Sequence, residues 1–141
     1  MRKEPMTARH PLWFKISAYG LVLYLVTLLL MFLLSIVFNG LFPQLPTDSP
    51  EAYTISLAVS ALPLGFFAFL TAHWFCRPAT ERNAVCLGLG WVAVQLVLNG
   101  VLALLNDNFA MIFTSFATYL IYVAVFAGAL ASRLHKNKAV P

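Results

Sequence analysis

Cys76-Arg77-Pro78-Ala79-Thr80-Glu81-Arg82-Asn83 is the only charged interruption between two long apolar hairpins. Two uncharged apolar blocks precede it, at about 16–38 and 52–75, and two follow, at about 84–105 and 109–132. Blocks of about 20 apolar residues match the hydrocarbon thickness of a bilayer when helical. Composition points the same way. The chain is 61% hydrophobic and only 10% charged, where a soluble domain carries about 25% charge. The expected fold is an all-α integral membrane protein, an antiparallel four-helix transmembrane bundle forming a single four-span domain over residues 1–141. The tails 1–15 and 133–141 are expected in the cytoplasm. Too little chain lies outside the blocks to build a separate catalytic domain.

The cations set the direction of threading. If the N-terminus is inside, the inner segments hold Arg2, Lys3, Arg9 and Lys15, then Arg77 and Arg82, then Arg133, Lys136 and Lys138, which is all nine Lys and Arg of the chain. The outer segments then hold Asp48, Glu51 and Asp107 and no cation. Cytoplasmic loops are the ones that retain Lys and Arg, so both termini are expected inside. Small size and minimal loops suit a bacterial inner (plasma) membrane. The basic start resembles the n-region of a signal peptide. The block behind it is too long and lacks a small-residue cleavage site, so it reads as an uncleaved signal-anchor. Arg77, Arg82 and Arg133 are expected to set topology and to meet lipid headgroups. The bilayer is therefore the expected partner. Cations confined to the edges of apolar blocks give no surface for nucleic acid.

Turn residues divide the blocks. Asn39-Gly40 is expected to end the first span, because both tolerate positive φ. Ser49-Pro50-Glu51 reads as cap, first helical position and dipole-matched acid of the second. Pro78 is expected to open the third helix, with Glu81 in its first turn and within reach of Arg77 four residues back. Asn106-Asp107-Asn108 is a tight turn of cap-forming residues. Pro63 removes a backbone donor inside the second span and is expected to bend it. Short connections favour packing of sequential neighbours. Ala61, Gly65, Ala68 and Ala72, and again Ala124, Gly128 and Ser132, form small-residue stripes for close helix approach, within one chain or between two copies. Val37-Phe38-Asn39-Gly40-Leu41 is faintly echoed by Val97-Leu98-Asn99-Gly100-Val101.

Chemistry is sparse. No Asp, Glu, Lys or Arg falls inside a span, whereas ion- and proton-coupled transport needs ionisable groups at depth. Phosphate loops, paired carboxylates and nucleophile motifs are missing from the sequence. Cys76 and Cys86 form no CxxC pair and read as free thiols. His73 beside Cys76 is too few ligands for a metal. No metal, cofactor or enzymatic activity is expected, and a membrane enzyme built on Cys76, Cys86 or His73 is the minority reading. Trp91, Gln95 and Asn99 recur every fourth residue and share one helix face. With Tyr119 and Tyr122 they make a candidate polar site within the membrane, or else a hydrogen-bonded seam that sets helix register. The leading functional expectation is an accessory or immunity-type subunit that contacts another membrane protein or a second copy of itself. The alternative is a small oligomeric transporter or flippase with its polar site on span three.

Overall fold

The computed structural model describes residues 11–41, 43 and 49–137. Regular structure among them is entirely helical: α1 Leu12–Leu41, α2 Pro50–Thr71 running on through a π turn at Ala72–Cys76, α3 Glu81–Leu105, a short α4 Phe109–Thr114 and α5 Phe116–Asn137. Four of these stretches are long and apolar enough to cross a membrane, at Leu12–Leu41, Pro50–Cys76, Glu81–Leu105 and Phe116–Leu134. The readings on Arg2, Lys3, Arg9, Asp48 and Lys138 fall outside the described residues.

Local chemistry explains most of the boundaries. The Pro11 carbonyl accepts from the Phe14 and Lys15 amides at 3.1 and 3.3 Å, so α1 starts before the apolar block does. It also runs past Asn39-Gly40 to Leu41, a correction to the expected end. No described glycine takes positive φ, so this pair makes no left-handed stop. Ser49 Oγ accepts from the Ala52 amide at 3.2 Å, and Pro50 occupies the first turn of α2. α2 continues unbroken through Pro63.

The irregularity lies further on. The Arg77 amide bonds the Ala72 carbonyl five residues back at 2.7 Å, and Arg77 itself turns left-handed with φ 45. That reversal leaves Pro78 in the link rather than at a helix start, which is a second correction. Thr80 caps α3, its hydroxyl accepting from the Asn83 amide at 3.2 Å. Arg77 and Glu81 therefore share no helix, and Arg77 Nε donates to the Trp74 carbonyl at 3.0 Å. α3 closes in a Schellman turn: Asp107 takes φ 52 and the Asn108 amide reaches the Ala103 carbonyl at 3.2 Å.

The fourth apolar block is two helices, not one. Ser115 is extended, with ψ 120, and separates α4 from α5. A break in apolar surroundings leaves carbonyls that must find other donors. Thr118 Oγ1 donates to the Ile112 carbonyl at 2.6 Å, and the Tyr119 hydroxyl donates to the Phe113 carbonyl at 2.9 Å. Ser115 Oγ meets Thr54 Oγ1 at 3.2 Å. Hydroxyls from the first turn of α5 and from α2 thus offset the break.

Packing departs from sequential order. The tightest pair is α2 with α5, followed by α3 with α5, α1 with α3, and α1 with α2. α2 and α3, joined by the shortest link between spans, do not form a packed pair. The cause is the two small-residue stripes, which face each other. A Cβ placed on Gly65 would lie 3.2 Å from the Ala124 carbonyl oxygen, and one on Gly128 would lie 2.9 Å from Ala68 Cβ and from the Phe69 amide nitrogen. On the other side, Gly90 abuts Ile16 and Gly20 abuts Val94, bringing α1 against α3. The core between the pairs holds Leu23, Leu57, Leu64, Leu87, Trp91, Ile121 and Val125, all buried.

A polar cavity shared by the spans

The residues expected to form one site are distributed along the bundle. Trp91 is fully buried, and its Nε1 donates to the Lys15 carbonyl at 3.3 Å. It joins α3 to the start of α1 at the end where Lys15 Nζ also donates to the Cys76 carbonyl at 2.7 Å. Gln95 is fully buried, and neither atom of its amide has a hydrogen-bond partner among the described residues. Asn99 Nδ2 donates to the Tyr122 hydroxyl at 3.0 Å, tying α3 to α5. Tyr119 is 49% exposed and points away from the core, touching Tyr122 edge-on at 6.2 Å. Spacing by four put Trp91, Gln95 and Asn99 on one face, but one face of a span crosses the whole membrane. The three meet different depths and different neighbours.

The pocket nearest to that expectation lies around Asn99 and is built from every span. It is a partly open cavity of about 110 Å³, lined by Tyr24, Thr27, Leu28 and Met31 of α1, Tyr53 and Leu57 of α2, Asn99 and Leu102 of α3, Asn108, Ile112 of α4, and Thr118 and Ile121 of α5. Of the five expected residues, only Asn99 lines it.

Its polar atoms fall into two groups. Some are engaged: Thr27 Oγ1 donates to the Leu23 carbonyl at 2.9 Å, Thr118 Oγ1 donates to Ile112, and Asn99 holds Tyr122. Others are not. The Tyr24 hydroxyl and Asn108 Oδ1 are buried and have no partner among the described residues. A buried polar atom without a partner costs about 1–3 kcal/mol, so two at one small cavity are a strong local feature. The break at Ser115 contributes to the site, because α4 brings Asn108 and Ile112 over the cavity. Sequence reasoning missed Tyr24, Tyr53, Asn108 and Thr118. Tyr24 was legible as a polar mark in span one, but nothing in the chain order ties it to Asn99.

The remaining expected residues sit at the Lys15 end. Arg77 and Arg82 are exposed, and Arg133 is half-buried near the end of α5. Cys76 is buried and Cys86 exposed, both as free thiols. His73 stacks on Phe69 at 5.6 Å. Among the described residues, no three His, Cys, Asp or Glu side chains cluster as a metal site would need. In comparisons with known proteins, no family model, no curated protein and no solved structure matches this chain.

Proposed function

We propose that this chain is an integral protein of a cytoplasmic membrane that binds a small solute inside its helix bundle and lets it pass, without covalent catalysis. The observation that carries the reading is the cavity: all four spans contribute to its wall, with Tyr24, Tyr53, Asn99 and Thr118 among the residues that line it. Buried polar groups in hydrocarbon are costly and mark substrate paths when they face a cavity. The proposed threading alternates, with both termini inside. Supporting it, residue numbers run oppositely along α1 and α2, where Lys15 meets Cys76 and Tyr19 meets Phe75. They also run oppositely along α3 and α5, where Gly88 abuts Ala129 and Asn99 meets Tyr122. The Lys15, Arg77, Arg82 and Arg133 side then faces the cytoplasm.

Two experiments test this. Reporter fusions after Leu45 and after Lys138 are expected to report opposite compartments; agreement between them overturns the threading. Proteoliposomes carrying the full chain are expected to equilibrate small solutes faster than empty liposomes. Tyr53→Trp, which fills the cavity, is expected to slow them. Rates equal to empty liposomes for every solute overturn passage.

A second reading, an accessory subunit held against another membrane protein or a second copy, is favoured by α1. Only 17% of its apolar window is buried, against 44% for the last span. Purification at native expression that returns the monomer alone counts against it.

A further inference from the structure

Resting on the passage reading, we infer that α1 is the gate of the cavity: its Lys15 half draws away from α2 and α3 to open a path, and a latch at Lys15 holds it shut in this structure. Four α1 residues, Tyr24, Thr27, Leu28 and Met31, form one wall of the cavity. Inward of that wall, toward Lys15, each span contributes a fully buried apolar side chain: Leu23, Leu64, Trp91 and Val125. Protein interiors are close-packed, so a solute crosses that layer only if a helix moves.

α1 is the helix placed to move. α2 and α3 pack against α1 and α5 but not against each other, so α1 closes the gap between them. α2 is seated on α5 by close backbone approach, a Cβ on Gly65 lying 3.2 Å from the Ala124 carbonyl oxygen. α1 has the smallest buried share of the four spans, 17% of its apolar window. Its buried residues stop at Gly20 on the Lys15 side.

A few directed contacts hold the rest. Lys15 Nζ donates to the Cys76 carbonyl at 2.7 Å, Trp91 Nε1 donates to the Lys15 carbonyl at 3.3 Å, and Ile16 sits on Gly90. Cys76 closes the π turn before the left-handed Arg77, where helix carbonyls lack donors of their own. A lysine charge suits that negative end. The bond is made only when α1 is docked, so it biases α1 toward the closed one of two positions.

Osmotic shrinking and reswelling of proteoliposomes, with water, urea and glycerol as probes, tests the inference. A Cys76→Ala, Cys86→Ala background keeps the carbonyl at position 76. In it, Ile16→Cys with Gly90→Cys places two thiols across the α1–α3 contact, since a Cβ on Gly90 lies 2.7 Å from Ile16 Cγ2. Oxidation to the disulfide is expected to bring exchange down to the rate of empty liposomes, and dithiothreitol to restore it. The reduced form serves as the folding control. Lys15→Met removes the latch and is expected to speed exchange about tenfold, the scale of one lost hydrogen bond from a charged group. Exchange unchanged by the disulfide overturns the gate and leaves passage standing. Lys15→Met no faster than the parent overturns the latch. Rates equal to empty liposomes in the parent, the reduced double variant and Lys15→Met overturn passage, and the gate with it.

Discussion

Gln95 and Asn99 lie one turn apart on the same face of α3, yet their surroundings give them opposite energetic signs. Asn99 donates to Tyr122 across the α3–α5 seam. Gln95 is fully buried with both amide atoms unpaired among the described residues. An interhelical bond in a membrane is worth about 0.6 kcal/mol and at most about 1.7, while an unpaired buried polar group costs about 1–3 kcal/mol. Gln95→Leu, which keeps side-chain volume roughly constant, is therefore expected to raise the free energy of unfolding by about 1–2 kcal/mol. Asn99→Leu is expected to lower it by about 1 kcal/mol, since the Tyr122 hydroxyl loses its donor. Reversible unfolding in mixed micelles measures both. The identity of these two residues was legible in the sequence, and their difference was not. It depends on what the fold brings to each: the Tyr122 hydroxyl to Asn99, and no polar partner among the described residues to Gln95.

At the scale of the element, the break at Ser115 and the α2–α5 seam carry the checkable consequences. The Ile112 carbonyl, left free by the break, takes its bond from Thr118 Oγ1. Thr118→Val removes that donor at nearly constant shape and is expected to cost about 1–3 kcal/mol. Gly128 faces backbone, with a hypothetical Cβ 2.9 Å from the Phe69 amide nitrogen, so Gly128→Ala must push α2 and α5 apart. Its expected cost is about 1–3 kcal/mol. Gly100 has nothing within 4 Å of such a Cβ. Gly100→Ala is then expected to be neutral or stabilising by up to about 1 kcal/mol through helix propensity. The same unfolding assay separates the two glycines. Both small-residue stripes were readable from spacing. The break was not, because Phe109 to Ser132 contains no proline and its only glycine is Gly128, far from the break. Around the extended Ser115, Thr54 meets its hydroxyl, and Thr118 and Tyr119 bond the Ile112 and Phe113 carbonyls.

For the molecule as a whole, the packing order is the main result. Loop length argued for α2 beside α3, but stripe meets stripe and seats α2 against α5 instead. Close backbone approach is what holds helices together where lipid tails are as apolar as leucine, so small residues outrank short links. A cross-link tests the arrangement. In a Cys76→Ala, Cys86→Ala background, Thr54→Cys with Ser115→Cys is expected to form a disulfide under mild oxidation, since the two hydroxyls lie 3.2 Å apart. Failure to cross-link, with the chain folded, rules out the α2–α5 register. At the same scale α1 stands apart. Its 30 residues span about 45 Å at 1.5 Å each, beyond the roughly 30 Å of hydrocarbon. Its buried residues are confined to Gly20, Leu23, Tyr24 and Thr27.

The sequence by itself determined that this chain forms four helices able to cross a membrane, and roughly where they lie. Backbone groups in hydrocarbon must find partners within the protein, so about 20 uncharged apolar residues become helical over most of their length. Neighbours, the interrupted fourth block and the cavity were decided only by the tertiary structure. A span that faces lipid on one side and protein on the other is apolar on both, so its periodicity carries little sign of which face turns inward. Which polar atoms end up paired, and which are buried without a partner among the described residues, follows from how the faces meet.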